Sequence, residues 1–180
     1  MKSKGFTLME LLVVIAIIGI LSTVILASLS SSRNRARDAN IKHELSQMRA
    51  LADLYALQNG GRYSNTFQGG AGWHNTSGGC RWNTNWLFNP AHENSLAPLL
   101  EAAAMTSNPD WLANPWTLGW VATCYTGHNG QTWMINVKLR TGGYWCVDSY
   151  GNSRKISTAV YPPSQGGYIV PTTQFECPST

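Results

Sequence analysis

Charge is scarce in this 180-residue chain: charged residues make up 12% of it, against about a quarter in an average soluble domain, while hydrophobic residues reach 43%. Polarity has to come from elsewhere, and Asn, Ser, Thr and Gly crowd positions 58 to 95, with eight Trp running from Trp73 to Trp145. Such an uncharged, aromatic-rich surface is commoner outside cells than in the cytosol. The net charge of +4 does not make up the deficit, because seven of the 13 basic residues lie in the first 49 positions. From Gly60 onward six basic side chains face five acidic ones, which gives no warrant for a nucleic-acid-binding domain. The length suits one domain, or one domain with an appended element.

Signatures of catalysis are missing as well. No GxxxxGK[ST] occurs, so the chain is not a P-loop ATPase, and no GxSxG marks a nucleophile elbow. His43, His74, His92 and His128 are scattered, with no pair at metal-ligand spacing. Asp148 and Asn152 in DSYGNS are a poor match to a calcium loop, because too few acids surround them. No catalytic residue, metal or cofactor is expected.

The four cysteines, Cys80, Cys124, Cys146 and Cys177, form no CxxC pair, and their even number points to two disulfides made in an oxidising compartment. Three pairings are possible. Cys80 with Cys124 and Cys146 with Cys177 is the expectation, since the second bridge would staple an otherwise loose tail rich in proline.

What the chain does have is one long hydrophobic run. After Lys2, Lys4 and Gly5, only Thr7, Glu10, Ser22, Thr23 and Ser28 interrupt apolar sequence from Phe6 to Leu29. Leu11 to Leu29 as a helix covers about 28 Å, enough to cross the hydrocarbon of a bilayer. The run is too long for a secretory signal and lacks a small-x-small cleavage site. Lys2 and Lys4 on one flank nearly balance Arg33, Arg35 and Arg37 on the other, so charge counting leaves orientation open. Glu10 stands out, because a carboxylate in hydrocarbon is costly unless paired, and no Lys or Arg lies within the run. It either snorkels to the headgroups or waits for a cation from elsewhere.

The segment KGFTLMELLVVIAIIGIL, residues 4 to 21, resembles the class III signal and hydrophobic stem of type IV pilins and pseudopilins. The resemblance implies cleavage by an inner-membrane prepilin peptidase after Gly5 and N-methylation of Phe6. It further implies that the Glu10 carboxylate neutralises the Phe6 ammonium of a neighbouring subunit in a dry filament core, where ion pairs are weakly screened. One departure is Ala27, in the part of the stem where many major pilins carry proline. Gly19, followed by Ser22 and Thr23, is then the expected point of helix loosening, or a point of close helix packing.

Helical periodicity continues past the membrane. Ile41, Leu45, Met48, Ala52 and Tyr55 form an apolar stripe, with Lys42, Arg49 and Asp53 on another face, and Asn59-Gly60-Gly61 supplies the stop. A short helix is expected over Ser95 to Met105, capped by Ser95, with Pro98 in its first turn. Strands are expected over Gly119 to Tyr125, Thr132 to Leu139 and Gly143 to Ser149, joined by turns at His128-Asn129-Gly130 and Thr141-Gly142-Gly143. This gives an α+β fold, the type IV pilin fold: a long N-terminal helix packed on a small antiparallel sheet of three or four strands. Its parts are a leader (1–5), a transmembrane and filament-core helix (6–32), an amphipathic helix half (33–59), a variable connecting region (60–118), and the sheet with a C-terminal tail (119–180).

Trp73, Trp82, Trp86, Trp111, Trp116 and Trp120 fall in the connecting region, where burial and subunit contact are expected ahead of a sugar-binding face; the shortage of Lys and Arg there speaks against DNA. Asn75-Thr76-Ser77 is a glycosylation sequon of a kind that arises readily by chance. The resemblance implies a structural subunit rather than an enzyme: a type IV pilus subunit, anchored in the inner membrane as a precursor, then polymerised with copies of itself by the pilus assembly machinery into a helical filament on the cell surface. The alternatives are a type II secretion pseudopilin or minor tip pilin and, in another class, a membrane-anchored adhesin or glycan-binding module.

Overall fold

The computed structural model describes residues 5, 7–63, 74–75, 86–89, 94–111, 121–126, 130–158 and 176–178. The chain divides into two compact units, Met1–Ala36 and Arg37–Thr180. One helix, α1 (Leu8–Gln58), runs through both. It passes Ala27 without a break, and its 51 residues amount to about 77 Å of helix.

Among the described side chains of the first unit, α1 buries none. Leu8, Met9, Ile15, Ile20 and Leu21 are all more than half exposed, as are Val24 and Ile25. This helix is long and apolar enough to cross a membrane. Ser22 and Thr23 return their hydroxyls to the helix's own backbone, donating to the Ile18 carbonyl at 2.7 Å and the Ile20 carbonyl at 2.8 Å. Polar groups are thereby satisfied without water.

In the second unit the same helix is amphipathic, as its spacing predicts. Ile41, Leu45, Met48, Ala52 and Tyr55 are all buried. The stop also falls where expected: the Gly61 amide donates to the Ala56 carbonyl at 2.7 Å, and Gly60 and Gly61 hold φ of 67° and 79°. Six-to-one closure through a left-handed glycine is the usual way a helix ends.

The sheet is antiparallel throughout and ordered as in the sequence. It comprises β1 (His74–Asn75), β2 (Ala122–Thr126), β3 (Trp133–Lys138), β4 (Tyr144–Asp148) and β5 (Ser153–Ile156). β3 and β4 fall inside the expected strand segments, and β2 overlaps the third. β2 reaches Thr126, one residue beyond the expectation, and Gly119 and Trp120 lie outside the described residues. β1 and β5 were not legible, since β1 has two residues and β5 is the charged sequence SRKI. Alternation along β3 sends Trp133, Ile135 and Val137 to the core under α1, while Met134 joins Cys146, Ile156 and Cys177 in a separate cluster. At the β3–β4 turn Gly143 has φ of 76°, and a Cβ there would lie 2.7 Å from the Ile156 carbonyl oxygen, so only glycine fits.

The short helix, α2 (Ala97–Ser107), starts and ends two residues later than expected. Its N-cap is Leu96, without a side-chain cap, and Ser95 instead accepts the Ala97 amide at 3.0 Å from outside the helix. Pro98 stands in the first turn, where its missing N–H leaves no helix bond unmade.

Asp38 fastens α1 to the sheet. Its carboxylate is buried, with Oδ1 accepting the Arg140 amide at 2.6 Å and Oδ2 the Thr141 amide at 3.1 Å and the Thr141 hydroxyl. A helical carboxylate thus closes the unpaired amides of the β3–β4 turn.

Candidate functional site

At the start of α1, Thr7 and Glu10 form a reciprocal cap. Glu10 Oε2 accepts the Thr7 amide at 2.9 Å and the Thr7 hydroxyl at 2.7 Å, while the Glu10 amide donates to Thr7 Oγ1 at 3.3 Å. The spacing Thr-x-x-Glu is that of a capping box, a signal present in the sequence and overlooked in reading it. All three bonds leave Oε1 unused. The carboxylate is therefore held at the helix end, where the helix dipole also favours negative charge, with one oxygen free for a cation.

The other expected site residues fall out as follows. Gly5 is exposed, and Phe6 lies outside the described residues. Gly19 sits on the helix with nothing within 4 Å of where a Cβ would stand. Arg33, Arg35 and Arg37 are exposed.

Cys146 and Cys177 are bridged, with Cα atoms 5.8 Å apart. Cys124 is also disulfide-bonded, and Cys80 lies outside the described residues. Asp148 adds to the Cys146–Cys177 clasp. Its Oδ2 accepts the Cys177 amide at 2.7 Å and Asn152 Nδ2 at 2.8 Å, and its Oδ1 accepts the amides of Tyr150 at 3.0 Å and Asn152 at 2.9 Å. A fully buried carboxylate with four donors serves as the post of a loop, which is a structural role rather than a calcium corner. Among the described residues no group of three or more His, Cys, Asp or Glu is placed to hold a metal.

His43 Nε2 is 3.0 Å from Gln47 on the exposed side of α1, while His92 and His128 lie outside the described residues. So do Trp73, Trp82, Trp116 and Trp120 and the second and third residues of the glycosylation sequon, Thr76 and Ser77. Trp86 and Trp111 are placed in short 3-10 turns. The described indoles that matter are Trp133, completely buried, and Trp145, which stacks under Lys42 with Nζ 4.6 Å from its ring centroid.

Glu44 was not singled out from the sequence. Its Oε2 is buried without a hydrogen-bond partner, and burial raises its pKa above the ordinary glutamate value, opposed by the neighbouring His43.

The described residues thus comprise an apolar stem with no buried side chain among those described, a capped carboxylate near its start and a head in which a helix packs on an antiparallel sheet, an α+β architecture. This chain matches, over residues 1–26, the family model described as the prokaryotic N-terminal methylation motif. It is similar to the type IV wide pilus major component PilA4 of Thermus thermophilus, 41% identical over 64 residues, 36% of this chain and 49% of that one. It is also similar to type II secretion system core protein G of Klebsiella pneumoniae, 34% identical over 68 residues, 38% of this chain and 48% of that protein. The Escherichia coli core protein G is 34% identical over 68 residues. The chain spans about half the length of the curated relatives it matches. No solved structure matches it significantly.

Proposed function

We propose that this chain is the structural subunit of a type IV pilus. Prepilin peptidase cuts after Gly5, the new Phe6 amine is methylated, residues 11 to 29 hold the subunit in the inner membrane, and polymerisation then draws the stem into the core of a surface filament. The observation that carries this reading is the stem itself, whose large apolar side chains are uncovered from Leu8 to Leu29 around a single carboxylate, Glu10. The free Oε1 of Glu10 is suited to receive the Phe6 ammonium of a neighbour, because a buried charge needs a partner and hydrogen bonds together. Similarity to a wide-pilus component favours a pilus. Similarity over nearly the same share of the chain to core protein G supports the second reading, a secretion pseudopilin, whose polymer would not be found on the cell surface as pili.

The test is Glu10→Ala in the full chain. The variant should insert in the membrane and be processed, yet yield few or no filaments; normal filament yield removes the ion-pair role. Mass spectrometry of sheared surface filaments should show a chain beginning at methylated Phe6, and a retained Met1 would overturn the processing step.

A further inference from the structure

Beyond the stem, α1 has two unlike flanks on either side of its buried stripe. On one flank Lys42 and Arg49 turn toward the end of the sheet. Lys42 lies over Trp145, and the Arg49 guanidinium donates to the Asn152 carbonyl. Arg154, donating to Asn152 Oδ1, and Lys155, paired across the strands with Trp145, complete a cationic edge on β5, the last strand of the sheet. The carboxylate next to this edge, Asp148, is already committed to four donors. Among the described residues none of the four cations forms an ion pair.

On the other flank stand Glu44, Leu51 and Leu54. Seven residues are nearly two helical turns, so Glu44 and Leu51 share one line, with Leu54 a turn further on. Leu51 is 39% and Leu54 47% exposed, although both lie on a helix that has a buried face available. Beside them Glu44 carries a buried oxygen without a partner. An unmatched acid next to uncovered leucines is costly in an isolated molecule. The cationic edge complements this flank, because Lys and Arg present a charge opposite to that of the partly buried Glu44 and a hydrocarbon stem that can lie against leucine.

We propose that the Glu44–Leu51–Leu54 flank of one copy seats on the Lys42–Arg49–Arg154–Lys155 edge of a second copy. The two surfaces differ, so the contact is head-to-tail and does not close on itself; repeated, it propagates a helical polymer. Charged side chains on β5 also discourage strand-to-strand addition, so the contact is made by side chains rather than by extending the sheet. This contact rests on the filament reading and specifies how heads meet within it.

The experiment uses the full chain in filament-assembling cells, with a photo-crosslinking benzoylphenylalanine replacing Leu51. Irradiation should give covalent dimers of the chain whose linked peptides come from residues 42–49 or 150–158 of the second copy. Adducts with lipid only, or with another part of the head, overturn the contact. In parallel, Glu44→Lys should lower polymer yield by roughly tenfold, about 1.4 kcal/mol per contact, while membrane insertion and the Cys146–Cys177 bridge persist. Yield should return on adding Lys42→Glu, Arg154→Glu or Lys155→Glu, and failure of all three to rescue also overturns it. If the unsubstituted chain inserts but never polymerises, the filament reading itself fails; if it polymerises with position-51 crosslinks elsewhere, only this contact does.

Discussion

The two halves of α1 are chemically continuous and energetically opposite. From Leu8 to Leu29 the described large apolar residues stand uncovered, whereas from Ile41 to Tyr55 a stripe of the same kinds of residue is almost wholly buried. Backbone hydrogen bonding is the same in both halves, so what separates them is the identity of the surroundings. The head supplies its own apolar surroundings through β3, β4 and α2. The described apolar side chains of the stem find no such cover within the chain. A helix can therefore be an anchor at one end and a core element at the other without any change in local conformation, and substitutions should separate the two roles.

The sharpest separation comes from matching truncations. Leu45→Ala should destabilise the head by about 2 to 5 kcal/mol, the usual cost of emptying a leucine site in a packed core. Leu21→Ala should leave head unfolding unchanged, as followed by near-ultraviolet circular dichroism of the full chain in detergent. Equal losses from both would erase the distinction. Next in size, Cys146→Ser with Cys177→Ser opens a bridge separated by 31 residues, which on chain-entropy grounds costs about 3.7 kcal/mol. Its effect should appear in denaturant midpoints of the head and not in membrane insertion.

Asp38→Ala should cost about 1 to 3 kcal/mol, because the Arg140 and Thr141 amides and the Thr141 hydroxyl lose a charged acceptor. Asp38→Asn should recover part of this, since one amide oxygen still accepts. The smallest effect concerns pH. Burial raises the Glu44 pKa in the folded head, so the folded state holds the proton more tightly than the unfolded chain does. Stability then falls as pH rises from the ordinary glutamate value through the raised one. Relative to Glu44→Gln, the unsubstituted chain should lose stability across that window, and a parallel pH profile for both would exclude the burial effect.

Much of this architecture was legible because it is local. The buried stripe of α1 follows a period of 3.6, its end follows Asn59-Gly60-Gly61, and the β3–β4 turn follows Gly142-Gly143. The Thr7–Glu10 cap was equally local, separated by three residues, and was there to be read. Glu44, Asp38 and Arg49 were not legible in the same way. Asp38 meets Arg140 and Thr141, 102 and 103 positions away, and Arg49 meets Asn152, 103 away. Nothing in a helix periodicity reveals which turn of a distant hairpin will lie against it, or that a carboxylate flanking the stripe will be left dry. β5 was hidden for the opposite reason: Ser153–Ile156 has the composition of a solvated loop and becomes a strand because β4 offers it an edge.

Asp148 also bears on how quickly the head is finished. Its Oδ2 holds the amide of Cys177, and Asp148 itself lies two residues from Cys146 on β4. A reduced chain with this hydrogen bond in place would keep its two thiols near bonding distance before any oxidant arrived, so closing the bridge becomes a reaction at high effective concentration rather than a search by a free tail. Held by this carboxylate, the tail would meet its bridge partner already positioned.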